Sequence, residues 1–308
     1  MERRLAEEIL SSLPEGKIVF RYFKDRYALQ LPAYAAAEGR SLSEMRRGRF
    51  RSLLQKPTVR QVLGERGGRQ ADWDLLDSYF RTPTEDYELT FGLWGDENDS
   101  TWYQTTRPGF NVVLQLNFPP AHDRAYRRYV EPDGDHPFVW ECHPVNRRGR
   151  HTLAWARLDI EPDEGEALIE EIQSDWIRDA SCAREAALER LIEEEVDPGS
   201  DLVNARCDAW QLFRYVEYVL SNHRRLWDEA VLGASLWLLR ERLGIRKIYM
   251  HTFEGGCRLK RMEGWRPPRS LYEQVPRTFC FERVVQVPRF LRSHLARSSR
   301  CEFWHLRL

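Results

Sequence analysis

Nine consecutive residues, Phe110 to Phe118, constrain the fold more than any other part of this chain. Phe110, Val112, Leu114, Leu116 and Phe118 fall on one side. Asn111, Val113, Gln115 and Asn117 fall on the other. A period of two sends successive side chains to opposite faces of a strand, so this segment predicts a strand with one apolar and one polar face. A strand of this kind needs a sheet, and the sequence supplies partners. Glu88 to Trp94 alternates through Leu89, Phe91 and Leu93. Thr152 to Ile160 and Glu166 to Asp175 read as two strands joined by the turn Glu161-Pro162-Asp163-Glu164-Gly165. Ile245 to Phe253 is another strand, and Lys17 to Tyr22 a short one.

Helical spacing fills the intervals. Residues 1–13 carry Leu5, Ile9 and Leu13 on one side, with Pro14 as a stop. Asp25 to Ala37 reads as a helix kinked near Pro32 and ended by Gly39. Ser41 and Glu44 have capping-box spacing, and Pro57 suits the first turn of a helix over Thr58 to Glu65. Asp72 to Phe80 reads as one more helix. Ser181 to Glu195, Leu202 to Ser221 and Arg225 to Leu243 follow, the last ended by Gly244. The pattern predicts an α+β fold: a central mixed, mainly antiparallel sheet flanked by helices, with a helical N-terminal addition. Residues 1–83 form the basic helical part. Residues 84–308 form the body, with a helical insertion at 181–224.

Charge narrows the function classes. The net charge of −1 argues against binding nucleic acid or membrane by bulk charge. It conceals three blocks. Residues 40–69 hold nine basic and two acidic residues, residues 159–201 three basic and sixteen acidic, and residues 244–308 fourteen basic and five acidic. Internal pairing between blocks accounts for such a distribution, and a local phosphate-binding surface is the sharper alternative. The longest apolar run, Ala230 to Leu239, is well short of the ~18 residues of a membrane span. The N-terminus lacks the pattern of a signal peptide. Six cysteines with no CxxC pair predict a reduced, cytoplasmic protein with mostly buried thiols and no zinc site.

The most informative short segment is Glu171-Ile172-Gln173-Ser174-Asp175. On a strand Glu171, Gln173 and Asp175 share one face, and burying three polar groups requires partners. Gln115 and Asn117 join them if the Phe110 strand lies in the same sheet. A solvated edge, a structural polar network and a functional cleft are all compatible with this pattern. In a cleft, partial burial raises a carboxylate's pKa toward neutrality and suits it to general-base work. Glu171 is the first candidate and Asp175 the second. With His122 or His251 the same carboxylates are a candidate divalent-metal set, although His251 inside an apolar strand also reads as a hydrogen-bonded core histidine. Trp94, Trp102, Trp155 and Trp176 read as core before binding platforms. No Walker loop, dinucleotide fingerprint or Gly-x-Ser-x-Gly elbow occurs.

Arg225-Leu226-Trp227-Asp228-Glu229-Ala230, the helix after it and the strand ending at Phe253 resemble the central helix and following strand of the GCN5-related N-acetyltransferases. In that family a polar strand leads to a loop, Arg/Gln-x-x-Gly-x-Gly/Ala, whose N–H groups hold the pyrophosphate of acetyl-CoA at a helix N-terminus. Arg225 and Ala230 match that pattern, whereas Asp228 replaces a glycine. Ser270-Leu271-Tyr272-Glu273-Gln274 resembles the helix carrying the family's general-acid tyrosine. The resemblance implies Glu171 as base, Tyr272 as acid, and Arg225, Ala230, Arg258 and Lys260 about an acetyl-CoA or other acyl-CoA. A small-molecule or protein amine would be the acceptor. The segment Glu-Ile-Gln-Ser-Asp also resembles one in uncharacterised proteins of phages and mobile elements. Two readings stand: an acyl-CoA-dependent N-acyltransferase-like enzyme with a divergent cofactor loop, or a non-catalytic module, without cofactor, that binds an acidic protein or nucleic acid through residues 40–69.

Overall fold

A computed structural model describes residues 1–14, 16–65, 83–99, 102–130, 138–146, 149–193, 203–262, 266–295 and 301–308. The expected helix at 72–80 lies outside these residues. Eight strands form one sheet: β1 (Ile18–Tyr22), β2 (Glu85–Asp96), β3 (Gly109–Asn117), β4 (Thr152–Glu161), β5 (Glu166–Gln173), β6 (Lys247–His251), β7 (Glu282–Val284) and β8 (Phe303–Arg307). Their order is β1-β2-β3-β4-β5-β6-β8-β7. Neighbours are antiparallel except β5 and β6, which are parallel. The fold is α+β with a mixed, mainly antiparallel sheet.

The helices are α1 (Arg3–Ser12), α2 (Tyr27–Ala37), α3 (Leu42–Arg47), α4 (Arg51–Leu54), α5 (Pro57–Glu65), α6 (Pro120–Tyr129), α7 (Asp175–Glu193), α8 (Val203–His223), α9 (Trp227–Trp237), α10 (Phe253–Leu259), α11 (Arg269–Thr278) and α12 (Arg292–Leu295). Ser41 and Glu44 cap α3 reciprocally, as their spacing predicts. A parallel pair requires a crossover, and α7, α8 and α9 provide it between β5 and β6. α9 is shorter than expected. It gives way at Leu238 to a wider π-turn through Arg242, and Gly244 reverses the chain at φ 68°.

The face bearing Val112, Leu114, Leu116, Ala154, Ala156, Leu158 and Ile172 packs under the helices and forms the main core. α9 carries nothing but buried residues from Glu229 to Leu236, which places it centrally on that face. The other face carries the polar side chains of β3, β4 and β5. A small second core about Leu168, Tyr249, Leu291 and Phe303 covers one end of it. Gln115 pairs in register with Trp155, and Trp155 with Gln173. The two amide strands therefore belong to one sheet but are not neighbours, because β4 lies between them.

Candidate functional site

A register shift in β5 creates the site. Arg157 pairs with Glu171 and Leu158 with Ile169, so Glu170 is an extra residue in the ladder. Such a bulge re-aims side chains. Here it adds a second carboxylate to the polar side of β5. Glu170 and Glu171 are both buried, and so are Arg157, Lys260 and His251. Glu171 accepts from Arg157 Nη2 and from Lys260 Nζ at 3.3 Å. Lys260 Nζ also donates to the Glu170 carbonyl at 3.2 Å. Glu170 takes the Thr106 amide at 2.8 Å, the Thr106 hydroxyl at 2.7 Å and His251 Nε2 at 3.0 Å. Burial pushes the Glu171 carboxyl up, but the Lys260 and Arg157 cations outweigh it and hold the group below its ordinary value. Burial also raises Glu170, and His251 with the same cations reverses that. The expectation that burial tunes Glu171 toward neutrality therefore fails. Glu171 is a paired anion, poorly suited to accept a proton near pH 7.

In front of this network lies a cleft of about 540 Å³, within the size range of small-molecule sites. Its aromatic walls are Trp94, Trp102, Tyr103 and Trp155, and its floor is Arg157 and Glu171. Trp94 Nε1 donates to the Tyr103 carbonyl at 2.9 Å, which ties the 102–107 segment to β2. Gln104 adopts φ 50°, a left-handed conformation uncommon for a side-chain-bearing residue. Its carbonyl and that of Tyr103 both accept from Arg157. Trp155 also borders a second, enclosed cavity of about 10 Å³, room for at most one water. Trp155 Nε1 and Arg157 Nε are buried and have no hydrogen-bond partner among the described residues. Leaving such a donor unmet costs roughly 1–3 kcal/mol.

His143 borders the same cleft. Its Nδ1 lies 2.7 Å from Asp175 Oδ2, which leaves Nε2 as the nitrogen able to take a proton. Asp175 begins α7 rather than continuing β5. It also accepts from Gln173 Nε2 at 2.5 Å and pairs with Arg178 at 3.0 Å. Burial raises the Asp175 carboxyl, and the bonds from His143 and Gln173 together with the neighbouring charges of His143 and Arg178 more than reverse this. Gln115 holds the His143 segment, its Nε2 donating to the Pro144 carbonyl at 3.0 Å. Asn117 is one step removed, bonded to Thr90 and Thr152 at 2.8 and 2.9 Å.

The predicted residues thus separate. Glu171 and Gln173 line the cleft, Asp175 and Gln115 support His143, and His251 belongs to the buried network behind. Tyr272 on α11 is buried close enough to Glu171 and Arg157 for their charges to act on it, and its hydroxyl has no partner among the described residues. Burial keeps that phenol protonated. Arg225, Ala230 and Arg258 do not line the cleft. Arg258 donates to Cys301 Sγ at 2.8 Å. At the start of α9, Glu229 is taken up by Lys24 and by the Asp25 amide at 3.1 Å. Those residues form an internal ion pair and do not fit a pyrophosphate. Sequence reasoning missed His143, Glu170 and Arg157. Only Arg157 left a trace, as a charge facing outward between Trp155 and Asp159 in an alternating strand. Among the described residues no group of three His, Cys, Asp or Glu side chains is set to hold a metal ion. Cys142 and Cys182 are exposed, against the expectation of mostly buried thiols, while Cys280 and Cys301 are buried. The chain matches no protein-family model, no curated protein and no solved structure.

Proposed function

We propose that this chain is an enzyme that transfers an acyl group to an amine, with the aromatic cleft as its acceptor site and His143 as its general base. The observation that carries the reading is the His143–Asp175 pair, 2.7 Å apart, at the wall of a cleft large enough for a small molecule. Asp175 orients the ring and stabilises the imidazolium that forms. As the amine nitrogen bonds to the acyl carbon, its proton passes to His143 Nε2. Loss of the thiolate from that carbon would need a proton, the role that the resemblance gives to the Tyr272 hydroxyl, which lies buried outside the cleft lining. An acyl-CoA contributes the activated thioester. The arrangement of a polar strand β5, helix α9 and parallel strand β6 supports that donor, as does the unpartnered Tyr272 hydroxyl. No role is assigned to residues 225–230. The test is release of free thiol from acetyl-CoA across a panel of amines, comparing the wild type with His143→Gln. General-base catalysis contributes typically 10²–10⁴-fold, so turnover should fall by about that factor with the thermal midpoint unchanged. A His143→Gln protein as fast as the wild type refutes the assignment.

A second reading, a non-catalytic module, is favoured by the internal ion pair at the start of α9 and by the exposed Arg46, Arg47 and Arg51 on α3 and α4. It predicts binding of an acidic protein or nucleic acid that weakens steeply with salt. Binding that ignores salt, or that survives replacement of these arginines, removes it.

A further inference from the structure

The cleft has two chemically different ends. His143 stands at one, bonded to Asp175, with its neighbour Pro144 held by Gln115. The sheet row beneath that end is Gln115, Trp155 and Gln173. The other end lies over Arg157 and Glu171, one row further along the same strands. Two residues along a strand advance about 7 Å. The segment carrying Asp99, Trp102 and Tyr103 is fixed over this second row, because the Tyr103 carbonyl accepts from Arg157 and from Trp94 Nε1.

Charge and aromatic surface favour one kind of ligand at the second end. Its floor is balanced, with Glu170 and Glu171 against Arg157 and Lys260. Asp99 adds a carboxylate to the wall above, and its own amide donates to Asp96 in the same acidic turn. Asp99 Oδ1 accepts the Trp102 amide at 2.9 Å, which keeps that residue next to the carboxylate. Trp102 lines the cleft although it is 76% exposed, so its ring contributes little to the core and is open to a ligand. The Arg157 guanidinium already lies 5.6 Å from the Trp94 ring centre and 5.7 Å from that of Trp155. Trp102 and Tyr103 are the remaining aromatic walls. A carboxylate beside two aromatic rings suits an ammonium ion, which gains a charge-assisted hydrogen bond from the one and attraction to the faces of the others.

We propose that this end of the cleft is a cation subsite that selects an alkyl diamine as acceptor. One amine reaches His143 Nε2, and the other stays charged beside Asp99, against the Trp102 and Tyr103 rings. The inference rests on the cleft being the acceptor site and adds the substrate class. About five carbons between the two nitrogens span the ~7 Å between the rows.

Calorimetric titration of the full chain with diaminopentane and hexylamine tests this. Diaminopentane has a nitrogen at each end of five carbons, and in hexylamine a methyl group replaces the second nitrogen. Diaminopentane should bind at least about tenfold more tightly, as expected for a hydrogen bond between charged groups. Asp99→Asn keeps an oxygen to accept the Trp102 amide and removes the charge, and should bring the preference below about threefold. Trp102→Leu removes an exposed ring and should weaken diaminopentane about two- to fivefold, the worth of an exposed cation–ring contact. If Asp99→Asn does not fold, the wild-type preference and Trp102→Leu decide. Hexylamine binding as tightly as diaminopentane, a preference unchanged in Asp99→Asn, a diaminopentane affinity unchanged in Trp102→Leu, or no binding of either probe at millimolar concentration overturns the proposal. Thiol release from acetyl-CoA is measured with both amines on the same preparations. Transfer without preference for the diamine removes the cation subsite alone, and preferential binding without transfer removes the transferase reading alone.

Discussion

Glu171→Gln separates an anchor from a catalyst. Glu171 is 6% exposed, and its partners Arg157 and Lys260 are 2% and 0% exposed. With Glu170 the site balances two carboxylates against two cations. The substitution keeps the shape but leaves Arg157 and Lys260 facing one carboxylate in a dry interior. Removing one member of a buried ion pair costs roughly 3–5 kcal/mol, because the survivor stays desolvated and uncompensated. The loss should appear in urea unfolding as a lower midpoint at unchanged slope. Lys260→Met added to Glu171→Gln removes the surplus cation, so the double variant should be less destabilised than the sum of the singles, by more than about 0.5 kcal/mol. A Glu171→Gln protein within about 1 kcal/mol of the wild type, yet devoid of activity, would falsify the anchor role and restore Glu171 as the base.

Asp175→Asn should lower turnover by tenfold or more, because the His143 ring loses the carboxylate that orients it; unchanged turnover refutes this. His223 is buried against Tyr87 and Phe118, and burial lowers its pKa to about 3. The unfolded chain takes up a proton below about pH 6.5 where the folded protein cannot, so stability is full above that pH and falls as pH drops toward 3. At about pH 5 the loss from this group is of order 2 kcal/mol. His223→Gln should flatten the pH 5–7 slope of the urea midpoint, leaving the shares of His122 and His305, whose pKa values burial also lowers; an unaltered slope refutes this. The depressed carboxyls Glu171 and Asp175 act in a separate window, their stabilisation being lost as pH falls below the ordinary carboxylate range. Ser41→Ala removes a cap on α3 and should cost about 0.5–2 kcal/mol, read from the thermal midpoint.

Much of this architecture was legible because local rules agreed with global ones. The alternation from Phe110 holds through β3 to Asn117, where the pairing with β4 slips, and Ser41 with Glu44 caps a helix at the expected residue. Glu171 and Gln173 do share a face, since both line the cleft. What failed to show were properties of pairing. Counted from Glu171 and Gln173, Glu170 reads as core, and the bulge formed against β4 is what lets both carboxylates reach the polar side. Asp175 continues the strand's period but starts a helix, because the Ser174 hydroxyl accepts the Ile177 amide at 3.2 Å. His143 lies in a stretch without periodicity and meets Asp175 only through the fold. Lys260, read as a phosphate ligand, is instead drawn into the interior by the two glutamates.

The bulge at Glu170 has a consequence for how firmly the sheet is aligned. Residues 166 and 168 and residues 171 and 173 occupy the same face although they differ in parity. The two halves of β5 are therefore out of phase with each other. A strand of uniform phase can slide two residues along its neighbour and still present the same face. β5 cannot, because any shift that satisfies one half carries the other past the step between Arg157 and Leu158 where its pairing with β4 accommodates an extra residue. The irregularity acts as an index mark. It locks Glu171 opposite Arg157 and, through Gln173 and Asp175, fixes the distance from that pair to His143.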